Sequence, residues 1–404
     1  EGQWYSHVEK ELIPRLHGFD LLMASYAMCH MKLDMMLTDM GYKPTSGNPP
    51  RLSVYLTNSL EEGERANQTL PFAQWLSNEA KEANTIKRDM PIMCVIGNPP
   101  YSGESANKGD WIMGLMEAYK REPGGKEKLK ERNSKWINDD YVKFIRLAEH
   151  LIEKNGEGVL GFITNHGYLD NPTFRGMRWH LLKTFDKIWV LDLHGNGLKE
   201  EVPPTAPADK NVFDITKAGV AIVVALKKRN STAATELVLR GDIFGSRKVK
   251  EDALEGNFQG LCVNPIELRG PKYLFRVWDY ELEQLFERGF SVGDLMPTNS
   301  NGIVTGDDGN LLAGDISTLR HQVESKFKVF ADVFVERIGY RLFEQTFIYN
   351  DPSLVERNRS EVMKHYGHVE QFGFLLAKQV RDYYFAHAFV TKMQSEAIFL
   401  SPTT

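Results

Sequence analysis

Residues 91–101 read Pro91-Ile92-Met93-Cys94-Val95-Ile96-Gly97-Asn98-Pro99-Pro100-Tyr101. An apolar run bounded by a proline and a glycine predicts a β-strand covered on both faces. Outward from it, strand and helix patterns alternate. Leu52–Thr57, Gly158–Thr164, Ile188–Leu193 and Gly219–Leu226 read as strands; Tyr141–Ile152 and Phe174–Phe185 read as helices. Upstream, Trp4, Val8, Leu12, Ile13 and Leu16 recur at helical spacing, with Pro14 and Gly18 closing the pattern. A second helical pattern runs through Tyr26, Met28, Met31, Leu33 and Met36. This alternation predicts a doubly wound α/β sheet. Past residue 230 the pattern becomes mixed, rich in aromatics and turns. The spacing places a domain boundary at 245/246, leaving 246–404 as a mixed α+β region.

The 404 residues are 42% hydrophobic and 25% charged, enough to bury a core in two or three domains. A net charge of −5 excludes a globally basic nucleic-acid binder but leaves room for a local basic groove. Cys29, Cys94 and Cys262 are too far apart for a disulfide framework or a zinc spacing, and point to a reducing cytosol. No apolar run is long enough to span a membrane, and Glu1-Gly2-Gln3-Trp4 opens no signal peptide. Without an initiator Met, the chain reads as beginning inside a longer polypeptide or as trimmed.

Asn98-Pro99-Pro100-Tyr101 follows the apolar strand, where open α/β sheets bind ligands. The Asn98 carboxamide oxygen accepts a hydrogen bond from an exocyclic amino group. So does a backbone carbonyl held by the Pro99-Pro100 pair, whose φ angles are locked. Two acceptors around one nitrogen draw its lone pair out of conjugation and aim it at an electrophile. Tyr101 offers a face for a base to stack on, and such a base must first leave the duplex. A proline turn after a strand is the plain alternative.

Asn-Pro-Pro-Tyr is the catalytic motif of amino-group methyltransferases that use S-adenosylmethionine, above all the N6-adenine DNA methyltransferases, and the chain resembles them. Gly18-Phe19-Asp20-Leu21-Leu22 is similar to the family's second strand, which makes Asp20, beside Leu21, the acid for the cofactor ribose. Tyr55-Leu56-Thr57-Asn58-Ser59-Leu60-Glu61 is similar to its third motif. The resemblance puts Asn58 at the cofactor adenine, with Ser59 or Leu60 against the ring; Asn98 and Pro100 border the same cofactor. Trp136–Arg146, Ile163–Arg178, Leu191–Asn196 and Asn211-Val212-Phe213-Asp214 resemble Type ISP restriction–modification enzymes, which join nuclease, helicase, methyltransferase and target-recognition parts in one polypeptide. Asn301–Thr305, Tyr340-Arg341-Leu342-Phe343 and Arg359–Met363 extend the likeness, although Leu342 stands where the family has proline.

The resemblance implies a Rossmann-like methyltransferase core at 1–245 and a coupler with the start of a target-recognition region at 246–404. It implies double-stranded DNA as partner, helicase and nuclease domains upstream, a cytoplasmic setting, and no metal. It makes Phe213 a second base-stacking face; ordinary core packing is the alternative. Arg175 and Arg178, on one face of a helix start, read as phosphate contacts or as internal ion pairs. His166 and His194 read as fixing loop geometry or touching phosphate, since an amine activated by Asn98 needs no strong base. The Lys/Arg-rich stretch 120–135 is interleaved with Glu and reads as a solvated loop or a channel lining. The family's glycine-rich first motif has no counterpart here: Gly156-Glu157-Gly158 and Gly195-Asn196-Gly197 stand in the wrong order. In the family it would precede Asp20, so the first strand is expected upstream of residue 1. A non-catalytic DNA-binding or assembly module, or a methyltransferase acting on a protein glutamine or an RNA base, are the competing readings.

Overall fold

The computed structural model describes residues 2–44, 50–62, 74–101, 103, 105–131, 134–197, 209–214, 218–230, 237–262, 264–341, 344–366, 372–376 and 388–397. The chain divides into two compact units, Glu1–Trp278 and Asp279–Thr404. The division falls later than the 245/246 expected from sequence. Two short strands at 238–266, whose patterns are too brief to read, complete the first unit's sheet.

In the first unit, β1 (His17–Asp20) and β2 (Ser53–Leu56) form a parallel pair. A separate six-stranded sheet holds β3 (Cys94–Gly97), β4 (Gly158–Asn165), β5 (Lys187–His194), β6 (Val220–Lys227), β7 (Val238–Asp242) and β8 (Asn264–Ile266), in the order β3-β4-β6-β5-β7-β8. β3 runs parallel to β4, and β5 parallel to β7; β6 lies antiparallel between β4 and β5. The carboxyl ends of β3, β4, β5 and β7 therefore meet the amino end of β6 on one edge of the sheet. That edge carries Asn98, His166, Asp192, Asp242 and Gly219.

The helix Asp140–Asn155 buries Tyr141, Val142, Ile145, Ala148 and Ile152, the recurrence of one helical face. It ends at Gly156, whose φ of 85° makes the left-handed cap that a side chain resists. Its buried face joins Leu160, Phe162, Ile188, Val190, Val223 and Ala225 in one core. Each such side chain contributes roughly 1.5–3 kcal/mol by leaving water.

One expectation fails at β3. The strand is not covered on both faces: it is the sheet's edge strand, and Ile96 is 78% exposed. An apolar run reports composition, not place in a sheet. The methionine-rich helix Met23–Asp39 likewise forms where read, yet buries none of its residues. The amino-terminal helical pattern becomes a helix at Gly2–His7, a π turn at Val8–Leu12 and a 3-10 turn at Ile13–Arg15, ending at Leu16 as Pro14 and Gly18 require.

The second unit has a sheet of β9 (Leu312–Ala313), β10 (Val335–Arg341), β11 (Glu344–Tyr349) and the short Gln394–Ser395, under the helix Ile316–Phe327. Ile303, Leu319, Val323, Ile338 and Ile348 form its core. Leu342 and Phe343, within the Tyr-Arg-Leu-Phe segment, lie outside the described residues. Among the described residues no helix is long and apolar enough to cross a membrane.

Candidate active site at the carboxyl edge of the sheet

β3 ends at Gly97 and delivers Asn98 directly onto the edge. Asn98 and Pro100 are exposed, Pro99 is buried and Tyr101 is half-buried. The Tyr101 hydroxyl donates to Asn98 Oδ1 at 3.0 Å, which sets the amide so that its oxygen is the fixed acceptor. Burial raises the Tyr101 hydroxyl well above its ordinary value, so it stays a donor across physiological pH. An amide oxygen carries two lone pairs, and one remains for an incoming amino group. The Tyr101 ring stands edge-on to Tyr141 at 6.2 Å between centroids, which fixes its plane. Tyr101 and Phe213 both pack on the cluster of Leu191, Leu193, Val212, Val220 and Cys262. Two aromatic residues 112 positions apart in the sequence thus border one cluster.

The cofactor candidates share the other parallel pair. β1 and β2 are in register at Asp20 and Leu56, so Asp20 and Asn58 leave the same end. Asp20 Oδ1 accepts from Leu22 N at 2.7 Å, which holds the carboxylate at the mouth of the following helix; Leu21 beside it is 65% exposed. Asn58 Oδ1 accepts from Leu60 N at 3.0 Å, folding the turn that carries Ser59 and burying Leu60. The Asn58 amide donates to Asn107 Oδ1 at 2.8 Å. Lys87 clasps the same turn, with Nζ 2.6 Å from the Asn58 carbonyl. Burial lowers the Lys87 ammonium to about 8, against the opposing pull of Glu61.

Asn107 is a residue that sequence reading misses. Its Nδ2 donates to Asp140 Oδ1 at 2.9 Å, and Ser105 Oγ donates to the same oxygen at 2.5 Å. Lys143, buried, donates to Ser105 Oγ at 2.6 Å. A hydrogen-bonded chain therefore links the Asn58 turn to the segment that follows Tyr101. Little local marks these residues, because apart from the Asn107 N–H to Ser105 Oγ the partners are more than thirty positions away.

Two expectations are corrected. Arg178 is fully buried and touches no surface where a phosphate could lie. Its guanidinium donates to the carbonyls of Tyr168 (2.7 Å), Asn171 (2.9 Å) and Lys272 (2.7 and 3.1 Å). Arg175 is the internal ion pair instead: it holds Glu122 at 2.5 Å and also bonds Glu131, and its charge is more than neutralised. That pairing lowers the Glu122 carboxyl and raises the Arg175 guanidinium. Along 120–135, Lys120 and Lys128 lie within ion-pair reach of Glu117, as a solvated loop face would; Arg132 lies outside the described residues.

His166 and His194 are buried and hold loop geometry, not phosphate. His166 Nδ1 lies 3.1 Å from Asp192 Oδ1, and His194 Nε2 lies 2.9 Å from Asp242 Oδ1. Burial pushes the Asp192 carboxyl up, but the hydrogen bond and charge of His166, with His194 and Arg240, hold it far below the usual carboxylate range. His166, Asp192 and His194 are close enough to hold a metal, but Arg240 Nη2 sits 2.8 Å from Asp192 Oδ2. The guanidinium already balances the Asp192 charge from the oxygen opposite His166.

Residues 18–197 match the Eco57I restriction-modification methylase family. The Eco57I match runs from Gly18 in β1 to just past β5, and so includes Asp20, Asn58, Asn98–Tyr101, His166, Asp192 and His194, but not Asp242. It stops short of Phe213. Solved restriction–modification structures share the fold. The ATP-dependent Type ISP enzyme LlaBIII, bound to DNA, is 19% identical over 87% of this chain and 25% of its own length, with a TM-score of 0.64. A nuclease-deletion mutant of the Type ISP enzyme LlaGI, in complex with a DNA substrate mimic, is 16% identical over 97% of this chain and 36% of its own, at 0.70. The DrdV–DNA complex is 16% identical over 98% and 43%, at 0.66. The chain thus spans under half the length of these proteins. No curated protein sequence matches it. The likeness to Type ISP methyltransferase regions read from the sequence is borne out, as is the α/β class.

Proposed function

We propose that this chain is the methyltransferase part of a restriction–modification enzyme and transfers a methyl group to N6 of a flipped adenine in duplex DNA. The observation that carries this reading is Asn98-Pro99-Pro100-Tyr101 on the carboxyl edge, with Phe213 packed on the same cluster as Tyr101. Asn98 Oδ1, fixed by Tyr101, and the Pro99 carbonyl accept the two N6 hydrogens. The amino lone pair is thereby freed from the ring. Tyr101 and Phe213 supply faces for the extruded base, which offset part of the few kcal/mol of unstacking. The residues present fit S-adenosylmethionine: Asp20 offers a carboxylate at the carboxyl end of β1 for ribose hydroxyls, and the Asn58–Ser59 turn, pinned by Lys87, offers polar groups to an adenine ring. When bound, that cofactor supplies the electrophilic methyl group. What the chain contributes is positioning and lone-pair steering. His166 and His194 are not needed as bases, because the amine proton can leave after methylation; their contacts to Asp192 and Asp242 fix the rings. The DNA-bound Type ISP enzymes it resembles support duplex DNA as substrate, and support motor and nuclease parts in the same polypeptide.

Calorimetric titration of S-adenosylmethionine into the chain tests the cofactor half. Micromolar binding that Asp20→Ala weakens about tenfold, a loss of about 1.4 kcal/mol, is the expected result. A folded chain that takes up no cofactor, with or without upstream sequence, favours the non-catalytic module.

A further inference from the structure

The loop between β5 and β6 carries Phe213, and its base is latched by a buried charge that neither the fold's core nor the proposed chemistry uses. Lys250, on the helix Arg247–Leu254, is completely buried. Its ammonium donates to the carbonyls of Leu193 and Lys210, both at 2.6 Å, and pairs with Asp209 Oδ1 at 2.7 Å. Asp209 in turn accepts from Gly195 N at 2.5 Å and from Gly245 N at 2.9 Å. One step along, Asn211 donates to the carbonyls of Gly195 (3.2 Å) and Ala218 (2.6 Å) and accepts from Phe213 N at 2.8 Å. Gly195 permits this: its φ is 79°, and a Cβ there would stand 2.5 Å from the Asn211 Cα. His194 also takes a left-handed φ of 51°, with its ring stacked 3.9 Å from Phe244. The outgoing strand end and the returning segment are thus tied at residues 193–195 and 209–213.

A buried ion pair is a poor source of stability, because desolvation cancels most of the attraction; what it supplies is a single geometry. Most contacts of this group land on the two loop stems, with Gly245 and Ala218 as the outside partners, and the last falls on the backbone N–H of Phe213. We infer that Lys250, Asp209 and Asn211 are positioning residues that hold Phe213 beside Tyr101 for the flipped base. This rests on the base-stacking role proposed for Phe213.

The test is a double-mutant cycle of Asn211→Ala and Phe213→Ala in the full chain. It reads labelled methyl transfer to unmethylated genomic duplex DNA, together with cofactor affinity and hydrogen exchange over 209–214. Asn211→Ala should lower kcat/KM about 10²-fold, as a misplacement of about 1 Å does, with cofactor affinity unchanged. Once Phe213 is alanine, Asn211→Ala should cost almost nothing more, because the position it holds no longer matters. Additive losses would mean a merely structural role and would overturn the inference. The paired replacement Lys250→Met with Asp209→Leu removes the buried charges together but unpairs the Leu193 and Lys210 carbonyls, so it is read only where exchange across β4, β5 and β6 stays at the wild-type rate; it should then reproduce the Asn211→Ala loss. If the wild-type chain methylates no DNA, the function proposed above fails on its own account, and exchange still decides the latch. Exchange over 209–214 faster by tenfold or more in Asn211→Ala supports it, and unchanged exchange overturns it.

Discussion

Arg178→Met exchanges a guanidinium for an apolar chain of similar reach and tests whether this arginine belongs to the core or to DNA. The wild-type side chain satisfies three carbonyls, those of Tyr168, Asn171 and Lys272. Leaving a buried acceptor unpaired costs about 1–3 kcal/mol. With partial relaxation at the Lys272 carbonyl, where two donors converge, the loss comes to about 3–5 kcal/mol. For a unit of this size, each kcal/mol lowers the melting temperature by about 2–4 °C, so thermal unfolding should shift down by about 10 °C. Below that transition, the salt dependence of duplex binding should be the wild-type slope. A phosphate contact would behave otherwise: stability would hold, and the slope of log K against log salt would fall by about one. A variant that melts within about 1 °C of wild type and loses that unit of slope refutes the burial argument.

Asp192 and Asp242 both sit below their ordinary range in the folded chain, through His166, His194 and Arg240. Because their folded values are depressed, their contribution is complete above about pH 4 and is lost as pH falls toward the folded values. Melting temperature followed from pH 7 to pH 3 should drop steeply at the acid end, and Asp192→Asn should lower the plateau and flatten that drop. Tyr101→Phe removes the hydroxyl that sets the Asn98 amide but keeps the stacking face. Its kcat should fall about tenfold or less, the worth of one hydrogen bond of about 1 kcal/mol, with cofactor affinity unchanged by calorimetry. Gly195→Ala, forced into Asn211 at positive φ, should destabilise the first unit by about 2 kcal/mol or more in urea unfolding.

The segment proposed as catalytic is legible because its pattern is local: Asn98 through Tyr101 are consecutive, and the apolar run before them marks a strand end. Asp20 and Asn58 came from the family resemblance, and the register of β1 and β2 puts them at one strand end. What the sequence hides is decided at long range. Lys250 looks like any exposed helix lysine until the fold sets the Leu193 and Lys210 carbonyls around it. Arg178 shares a helix face with Arg175 in any periodic reading. Only the distant Lys272 carbonyl turns the one inward, and only Glu122 and Glu131 neutralise the other. The edge position of β3 is likewise a property of strand order, which no apolar run records.

Asn98 is proposed to steer an adenine amino group. The most direct measurement is the identity of the methylated base. Unmethylated duplex DNA is incubated with the full chain and labelled S-adenosylmethionine, then hydrolysed to nucleosides, for wild type and Asn98→Ala side by side. N6-methyladenine is expected from wild type, and none above background from an Asn98→Ala chain that binds cofactor normally. Label on another base, or equal N6-methyladenine from both chains, would contradict it.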